Sequence, residues 1–300
     1  MTGSLPITIA IPTYRREQVL IDTIKALLDL EPRAGEILVI DQTLDHSPPV
    51  EAALRRWNEG GEIRWLRLPQ PSIPRAMNRG LLAARFDIVL FVDDDIVPFP
   101  GLVAAHVDAH GQGHRLVAGR VLQPWDGDNP AATWSAERFA SVESRDVDEF
   151  MGGNFSVRRG DALEAGGFDE NFVRVAYHFE REFSDRWTAR GGRIRFVATA
   201  AIRHLKTASG GTRSFGDHLR TFLPAHSVGN YYYLLRSHRV SGRTREFFRR
   251  PLRSIATRHH VRRPWWIPVT LVSELSGMAW ALILHARGPR YCSGRSPRGN

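Results

Sequence analysis

Three consecutive carboxylates, Asp93-Asp94-Asp95, end the apolar run Ile88-Val89-Leu90-Phe91-Val92. A continuous apolar run of this length predicts a buried strand. Ligands of open α/β sheets bind beyond the carboxyl ends of such strands. Three acids at one edge repel one another unless a cation sits among them, and a hard divalent ion holding a diphosphate suits that edge. Side chains alternate along an extended chain, so Asp93 and Asp95 are expected on one side and Asp94 on the other. The competing reading of the same residues is a solvated acidic turn or a helix N-terminus. Arg75 follows Ser72 and Pro74, which suit an N-cap and a first helical turn. It could bring a second positive charge, with the helix N–H groups, to the same rim, or sit on an exposed turn. Gly152-Gly153, just ahead of Asn154, permits close approach of the backbone to a ligand, or is an ordinary strand entry.

The elements around these residues follow from periodicity. Residues 7–11 form a short strand stopped by Pro12, with Thr13 and Tyr14 beyond it. Val19, Leu20, Thr23, Ile24, Leu27 and Leu28 recur at helical spacing. A second strand over residues 36–40 ends at Asp41, a third covers residues 62–68, and residues 75–84 are predicted helical. The acidic strand comes next. This β-α-β-β-α-β order predicts an α/β domain with a mixed, largely parallel sheet flanked by helices. The ends at Pro12-Thr13-Tyr14, Asp41 and Asp93–Asp95 should meet on one rim. Residues 194–204 read as strand, turn and a second extended segment.

Several function classes are excluded. The loop after the first strand has no glycine, so neither a dinucleotide fingerprint nor a P-loop applies. The single cysteine, Cys292, rules out an internal disulfide framework and a Cys-rich zinc site. No signal-peptide pattern stands at the N-terminus, so a cytoplasmic location is expected. The net charge is +9, and the ten arginines between Arg236 and Arg263 face one acid, Glu246, so that stretch alone carries +9. The rest of the tail adds +3, which leaves residues 1–235 at −3.

The ordered set of residues 7–16, Ile37-Leu38-Val39-Ile40-Asp41, Arg75-Ala76-Met77-Asn78-Arg79-Gly80 and Phe91-Val92-Asp93-Asp94-Asp95 resembles the family 2 glycosyltransferases. The resemblance covers about residues 5–205, and the set is far more specific than any one motif. It implies a GT-A fold and a nucleoside-diphosphate sugar donor. Pro12, Thr13, Tyr14, Asp41, Arg75 and Asn78 would then serve the nucleotide, with Asp41 on its base. Asp93 and Asp94 would contact ribose, and Asp95 would hold Mg²⁺ or Mn²⁺. His204 falls where such proteins often complete the metal site, and a ligating imidazole favours manganese. Gly152, Gly153 and Asn154 would lie beside the acceptor and the donor sugar. Glu180 falls where the family carries its catalytic Asp, with Phe179 in place of the preceding acid, and Glu182 is the alternative carboxylate. Such a base deprotonates the acceptor hydroxyl as it attacks the anomeric carbon, which implies inversion. The residues themselves also allow a solvated amphipathic helix built on Phe183 and Trp187.

The tail differs in kind. An arginine-rich, partly helical segment precedes Pro264-Trp265-Trp266 and an apolar stretch that Pro268 and Glu274 interrupt. Paired tryptophans beside arginines suit a peripheral position on an anionic membrane surface, here the inner face of the cell membrane. The alternative is a helical pair packed on the catalytic domain. The expected division is a transferase domain (1–235, nucleotide half 1–100 and acceptor half 101–235) and a helical extension (236–300). The expected activity is metal-dependent, inverting transfer to a glycan or lipid-linked hydroxyl, as in polysaccharide biosynthesis. Two other readings stay open: a sugar-nucleotide-binding protein without turnover, and a nucleic-acid-binding protein acting through the arginines. With no binding motif and a net negative main domain, no nucleic acid is expected as a partner.

Overall fold

The structure is a computed structural model that describes residues 3–126 and 139–292. The first half runs β1 (Leu5–Thr13), α1 (Gln18–Leu28), β2 (Ala34–Asp41), α2 (Pro48–Glu59), β3 (Arg64–Arg67), α3 (Ile73–Ala83), β4 (Ile88–Val92), β5 (Ile96–Pro98) and α4 (Leu102–Gly111). There follow β6 (Leu116–Leu122), β7 (Arg145–Val147), β8 (Asn154–Arg158), α5 (Arg159–Glu164), α6 (Phe179–Ala189) and β9 (Ile194–His204). Four helices close the described chain: α7 (Val228–Arg236), α8 (Arg243–Ile255), α9 (Arg258–Arg262) and α10 (Ile267–Ala286).

Among the described residues, the nine strands belong to one sheet in the order β3-β2-β1-β4-β8-β6-β9-β5, with β7 on β9. Strands β1 to β4 pair in parallel. β8 runs antiparallel between β4 and β6, and β9 lies parallel to β6. The carboxyl ends of β1, β2, β4, β6 and β9 therefore share a rim, and the chain enters β8 from that same rim.

Strand alternation splits the core into two layers. Ile9, Val39 and Leu90 face α1, α2 and α4, whereas Ala10, Leu38 and Phe91 face α3 and α6. On the second side Phe91, Phe155, Phe168 and Phe183 are fully buried, with Phe91–Phe155 at 5.0 Å and Phe168–Phe183 at 4.7 Å between ring centroids. Each contributes about 1.5–3 kcal/mol by burial, and together they fix α6 against the sheet. Phe179, the residue standing in place of an acid, is part of this aromatic core, edge-on to Phe168 at 5.8 Å.

Two departures from the sequence reading have physical causes. Helix α2 was not expected, because only Val50, Leu54 and Trp57 turn inward from an otherwise polar segment. Residues 194–204 form one strand rather than two, and the anticipated turn is absorbed as a register break against β6 between Gly119 and Arg120. Asn154 holds that break. Fully buried, its Nδ2 donates to the Arg120 and Ala200 carbonyls at 3.0 and 2.9 Å, and its Oδ1 lies 3.0 Å from His106 Nε2. Burial pushes His106 down to about 3, so its ring is neutral in this network.

The C-terminal helices are stitched to the rest. Tyr232 and Tyr233 on α7 donate to Asp169 (2.7 Å) and Asp185 (2.9 Å). Helix α10 packs along α7 and α8. Pro268 does not interrupt it, because a proline in the first turn loses no intrahelical hydrogen bond. Glu274 does not either: it turns inward and accepts from the Tyr231 hydroxyl at 2.6 Å.

Candidate active site

The rim carries a cleft of about 810 Å³, lined among others by Pro12, Thr13, Tyr14, Asp93, Asp95, Gly152, Gly153, Glu180 and His204. Sheet register brings its carboxylates together. β4 stops at Val92, and the chain turns through the three acids into β5, where Ile96 pairs with His204 of β9. That pairing sets His204 Nε2 3.1 Å from Asp95 Oδ1 and 3.8 Å from Asp93 Oδ2. Asp93, Asp95 and His204 offer ligand atoms all within 4.8 Å of one another.

Asp94 stands apart from the Asp93, Asp95 and His204 group, as expected from the alternation of side chains. Its Oδ1 accepts from Arg16 Nε at 3.0 Å, and burial pushes its carboxyl up to about 7 against that guanidinium. Arg16 is itself buried and reaches Asp95 Oδ2 at 3.2 Å, with further bonds to Thr207 Oγ1 and the Ser209 carbonyl. Burial alone would raise Asp95. His204, Arg16 and the Thr207 amide outweigh it and hold the carboxyl below its usual range. Against the opposing effects of burial and Lys206, the hydrogen bond of Asp95 and the charges of Asp93 and Asp95 raise His204 above its ordinary value.

The glycine pair spaces the site. β4–β8 register places Gly153 beside Asp93, whose N–H donates to the Gly153 carbonyl at 3.2 Å. A Cβ on Gly153 would run into the Asp93 carboxylate, and one on Gly152 would meet Glu180 Oε1 at 2.9 Å. Two residues without side chains thus let Asp93 and Glu180 face one cleft. Burial pushes the Glu180 carboxyl up to about 8; Asp93 adds to this and the Gly152 amide opposes it.

Four residues expected at the site lie elsewhere. Asp41 is fully buried behind the cleft, where it accepts from the Thr43 amide (2.8 Å) and Trp65 Nε1 (2.9 Å), with His46 Nε2 at 2.8 Å. Its neighbour Gln42 is the lining residue. Arg75 pairs with Glu170 at 3.5 Å, outside the cleft. Asn78, also buried, clamps the 167–170 loop: its Nδ2 donates to the Phe168 carbonyl at 2.9 Å and its Oδ1 accepts from the Phe168 amide at 2.8 Å. Glu182 turns to the far side of α6 and takes Arg186 at 2.7 and 3.0 Å. Asn154 likewise has its side chain engaged in the sheet.

The sequence reading missed the basic side chains that line the cleft with the carboxylates. Arg174, Lys206 and Arg213 line the cleft from loops that carry no motif. The segment bearing Arg213 is anchored by the Gly211 N–H, which donates to the Tyr14 carbonyl at 2.8 Å, and by Tyr14 stacked on Phe215. Carboxylates and basic side chains lining one cleft suit a cation and a diphosphate bound together.

The description "Glycosyl transferase family 2" belongs to the profile that matches residues 8–160, half of the chain. This protein is a family 2 glycosyltransferase. Its fold is GT-A. The mannosyltransferase PcManGT from Pyrobaculum calidifontis, solved with GDP-Man and Mn²⁺, superposes with a TM-score of 0.57 at 17% identity, over 96% of this chain and 80% of that one. GalNAc-T7, solved with UDP, GalNAc and Mn²⁺, gives 0.58 at 14% identity over 83% of the transferase and 55% of that chain. No curated protein sequence matches the chain. The residues of the transferase fit a divalent ion on their own chemistry. Asp93, Asp95 and His204 converge, and Asp95 is held ionised by its surroundings. Two carboxylates with one imidazole suit Mn²⁺ better than Mg²⁺.

Proposed function

We propose that this glycosyltransferase transfers a sugar from a nucleoside diphosphate to an acceptor hydroxyl in one inverting displacement, with Glu180 as the base. A divalent ion held by Asp93, Asp95 and His204 would neutralise the charge that develops on the departing diphosphate. The observation that carries the reading is the placement of Glu180 across Gly152-Gly153 from Asp93, both carboxylates opening into the same cleft.

Glu180 takes the proton of the acceptor hydroxyl as that oxygen bonds to the anomeric carbon. The bond from that carbon to the phosphate oxygen breaks, and the nucleoside diphosphate leaves with the electron pair. Attack from one face with departure from the other inverts the centre. Because burial weakens its acidity, Glu180 is a stronger base than an ordinary carboxylate once ionised. Arg174, Lys206 and Arg213 line the cleft and would meet the diphosphate with positive charge, while the Gln42 amide is taken up by the Thr13 carbonyl and the Ser72 N–H. Arg16 reaches the cleft lining, but its guanidinium is engaged by protein partners. It positions Asp95 and the 207–209 loop. A glycan or lipid-linked acceptor suits the part of the cleft beside Glu180, where Tyr177 lines it with a partly exposed aromatic ring.

Calorimetric titration of UDP, GDP and dTDP, with and without Mn²⁺, tests the donor half. One nucleotide should bind only with the ion, and Asp95→Ala should abolish that binding. Failure of every nucleotide to bind folded protein overturns the reading.

A further inference from the structure

Helix α10 is inside out for a helix surrounded by water. Its inward face carries Thr270, Ser273, Glu274 and Gly277 among the buried residues. Its outward positions are Pro268, Val272, Leu275, Ala279, Leu282 and Ile283, all exposed. These recur three to four residues apart and form one apolar stripe along the helix.

The polar inner face is fully used. Glu274 takes the Tyr231 hydroxyl at 2.6 Å and pairs with Arg250 at 3.2 Å. Ser273 Oγ donates to the Leu223 carbonyl at 2.9 Å, Ser227 Oγ donates to the Ser273 carbonyl at 2.8 Å, and His260 Nε2 lies 2.9 Å from Thr270 Oγ1. Gly277 lies so close to Ser227 that a Cβ there would clash. Small and polar residues inward with branched aliphatics outward is the pattern of helices whose solvent is lipid.

A second group of exposed apolar residues lies on the helices beside α10. On α8, exposed Phe248 and Leu252 stand among Arg245 and Arg249. Val261 and Trp265 follow beside Arg258, Arg262 and Arg263, and the apolar members of this group are 65–82% exposed. Aliphatic and aromatic side chains set among arginines match a bilayer surface with anionic headgroups, where tryptophan and arginine settle at the interface.

We propose that the outward stripe of α10, with the exposed apolar residues of α8 and α9, seats in the surface layer of an anionic phospholipid bilayer. Pro264–Ala286 is long and apolar enough to cross a membrane by length and composition. The inner face, bonded through Glu274 and Ser273 to the α7 and α8 side, makes it lie along the surface instead. The bilayer leaves the cleft free, because the cleft meets α10 through Arg174 and Trp280 on a different side from the stripe.

The test is flotation of the full chain with vesicles of phosphatidylcholine alone or mixed with phosphatidylglycerol, against Leu275→Asp/Leu282→Asp. The wild-type chain should float with the mixed vesicles, at least about tenfold better than with neutral ones. The double variant, altered only at exposed positions, should stay at the bottom while binding nucleotide with Mn²⁺ as the wild type does. Nucleotide titration of both proteins separates this result from the fate of the catalytic reading. As a measurement independent of that variant, brominated lipid should quench an indole signal that Trp265→Phe removes. A wild-type chain that ignores both vesicles, or a variant that floats equally well, overturns the proposal. So does a concentration-dependent dimer that the double variant breaks without any vesicle binding, which would make a second copy the cover of the stripe.

Discussion

Asp41 ends β2 and Asp95 lies just beyond β4, the two parallel strands on either side of β1, yet only Asp95 opens on the cleft. Asp41 accepts from an indole and a backbone amide and contacts an imidazole, and all of these come from its own side of the sheet. Asp95 shares its partners with Asp93 and the cleft, and its Oδ1 faces an imidazole that could as well face an ion. A strand-end carboxylate is therefore a structural lock when local residues fill its lone pairs, and a ligand site when strand register leaves two carboxylates facing each other.

The comparison can be broken at several points. Glu180→Gln should lower turnover by about 10²–10⁴-fold, the usual worth of a general base, and leave nucleotide affinity intact. Equal loss in both would remove Glu180 from the base role. Asp95→Ala, or treatment with a chelator, should cost about 10²–10³-fold in turnover. Added Mn²⁺ should restore the chelated protein and not the variant. A pH profile comes next. Glu180 must be ionised to accept a proton and its carboxyl is pushed up to about 8, so turnover should rise with pH and level off above that value. A profile flat from pH 6 to 9 contradicts the assignment. The smallest expected effect on chemistry is that of Asp41→Asn. Leaving His46 and Trp65 poorly matched should cost about 1–3 kcal/mol of stability, read by urea unfolding, with turnover per folded molecule retained. Loss of nucleotide binding at unchanged stability would instead put Asp41 on the base.

Much of this was legible in the residues. Apolar runs and helical spacing marked β1, α1, β2, α3 and β4, and the Ser72 cap appears where expected, accepting from the Arg75 N–H at 3.4 Å. Strand alternation foretold that Asp94 would leave Asp93 and Asp95 together. What periodicity could not carry was anything decided by long-range register. Asn78 and Asn154 sit inside motifs and are structural clamps, because their amides meet backbone brought from 90 and 34–46 residues away. Arg16 lies in a quoted motif, yet its bonds to Asp94 and Asp95 span 78 and 79 residues. Arg174, Lys206 and Arg213 came from loops without pattern. The inverted face of α10 was hidden for another reason: composition counts apolar residues without saying which side they occupy.

The stitching of residues 290–292 has a consequence for how the protein is made. The Arg290 N–H donates to Asp169 Oδ1 across a separation of 121 residues, the Glu170 N–H donates to the Arg290 carbonyl, and the Cys292 N–H reaches the Gly166 carbonyl. The 166–170 loop, which Asn78 also grips, therefore lacks these partners while the chain is being synthesised. Contacts of such separation form late and slowly. The sheet and its metal ligands can assemble on the ribosome, but this wall of the enzyme is finished only after α10 has emerged. If α10 meets a bilayer at that moment, maturation and delivery to the membrane become one event.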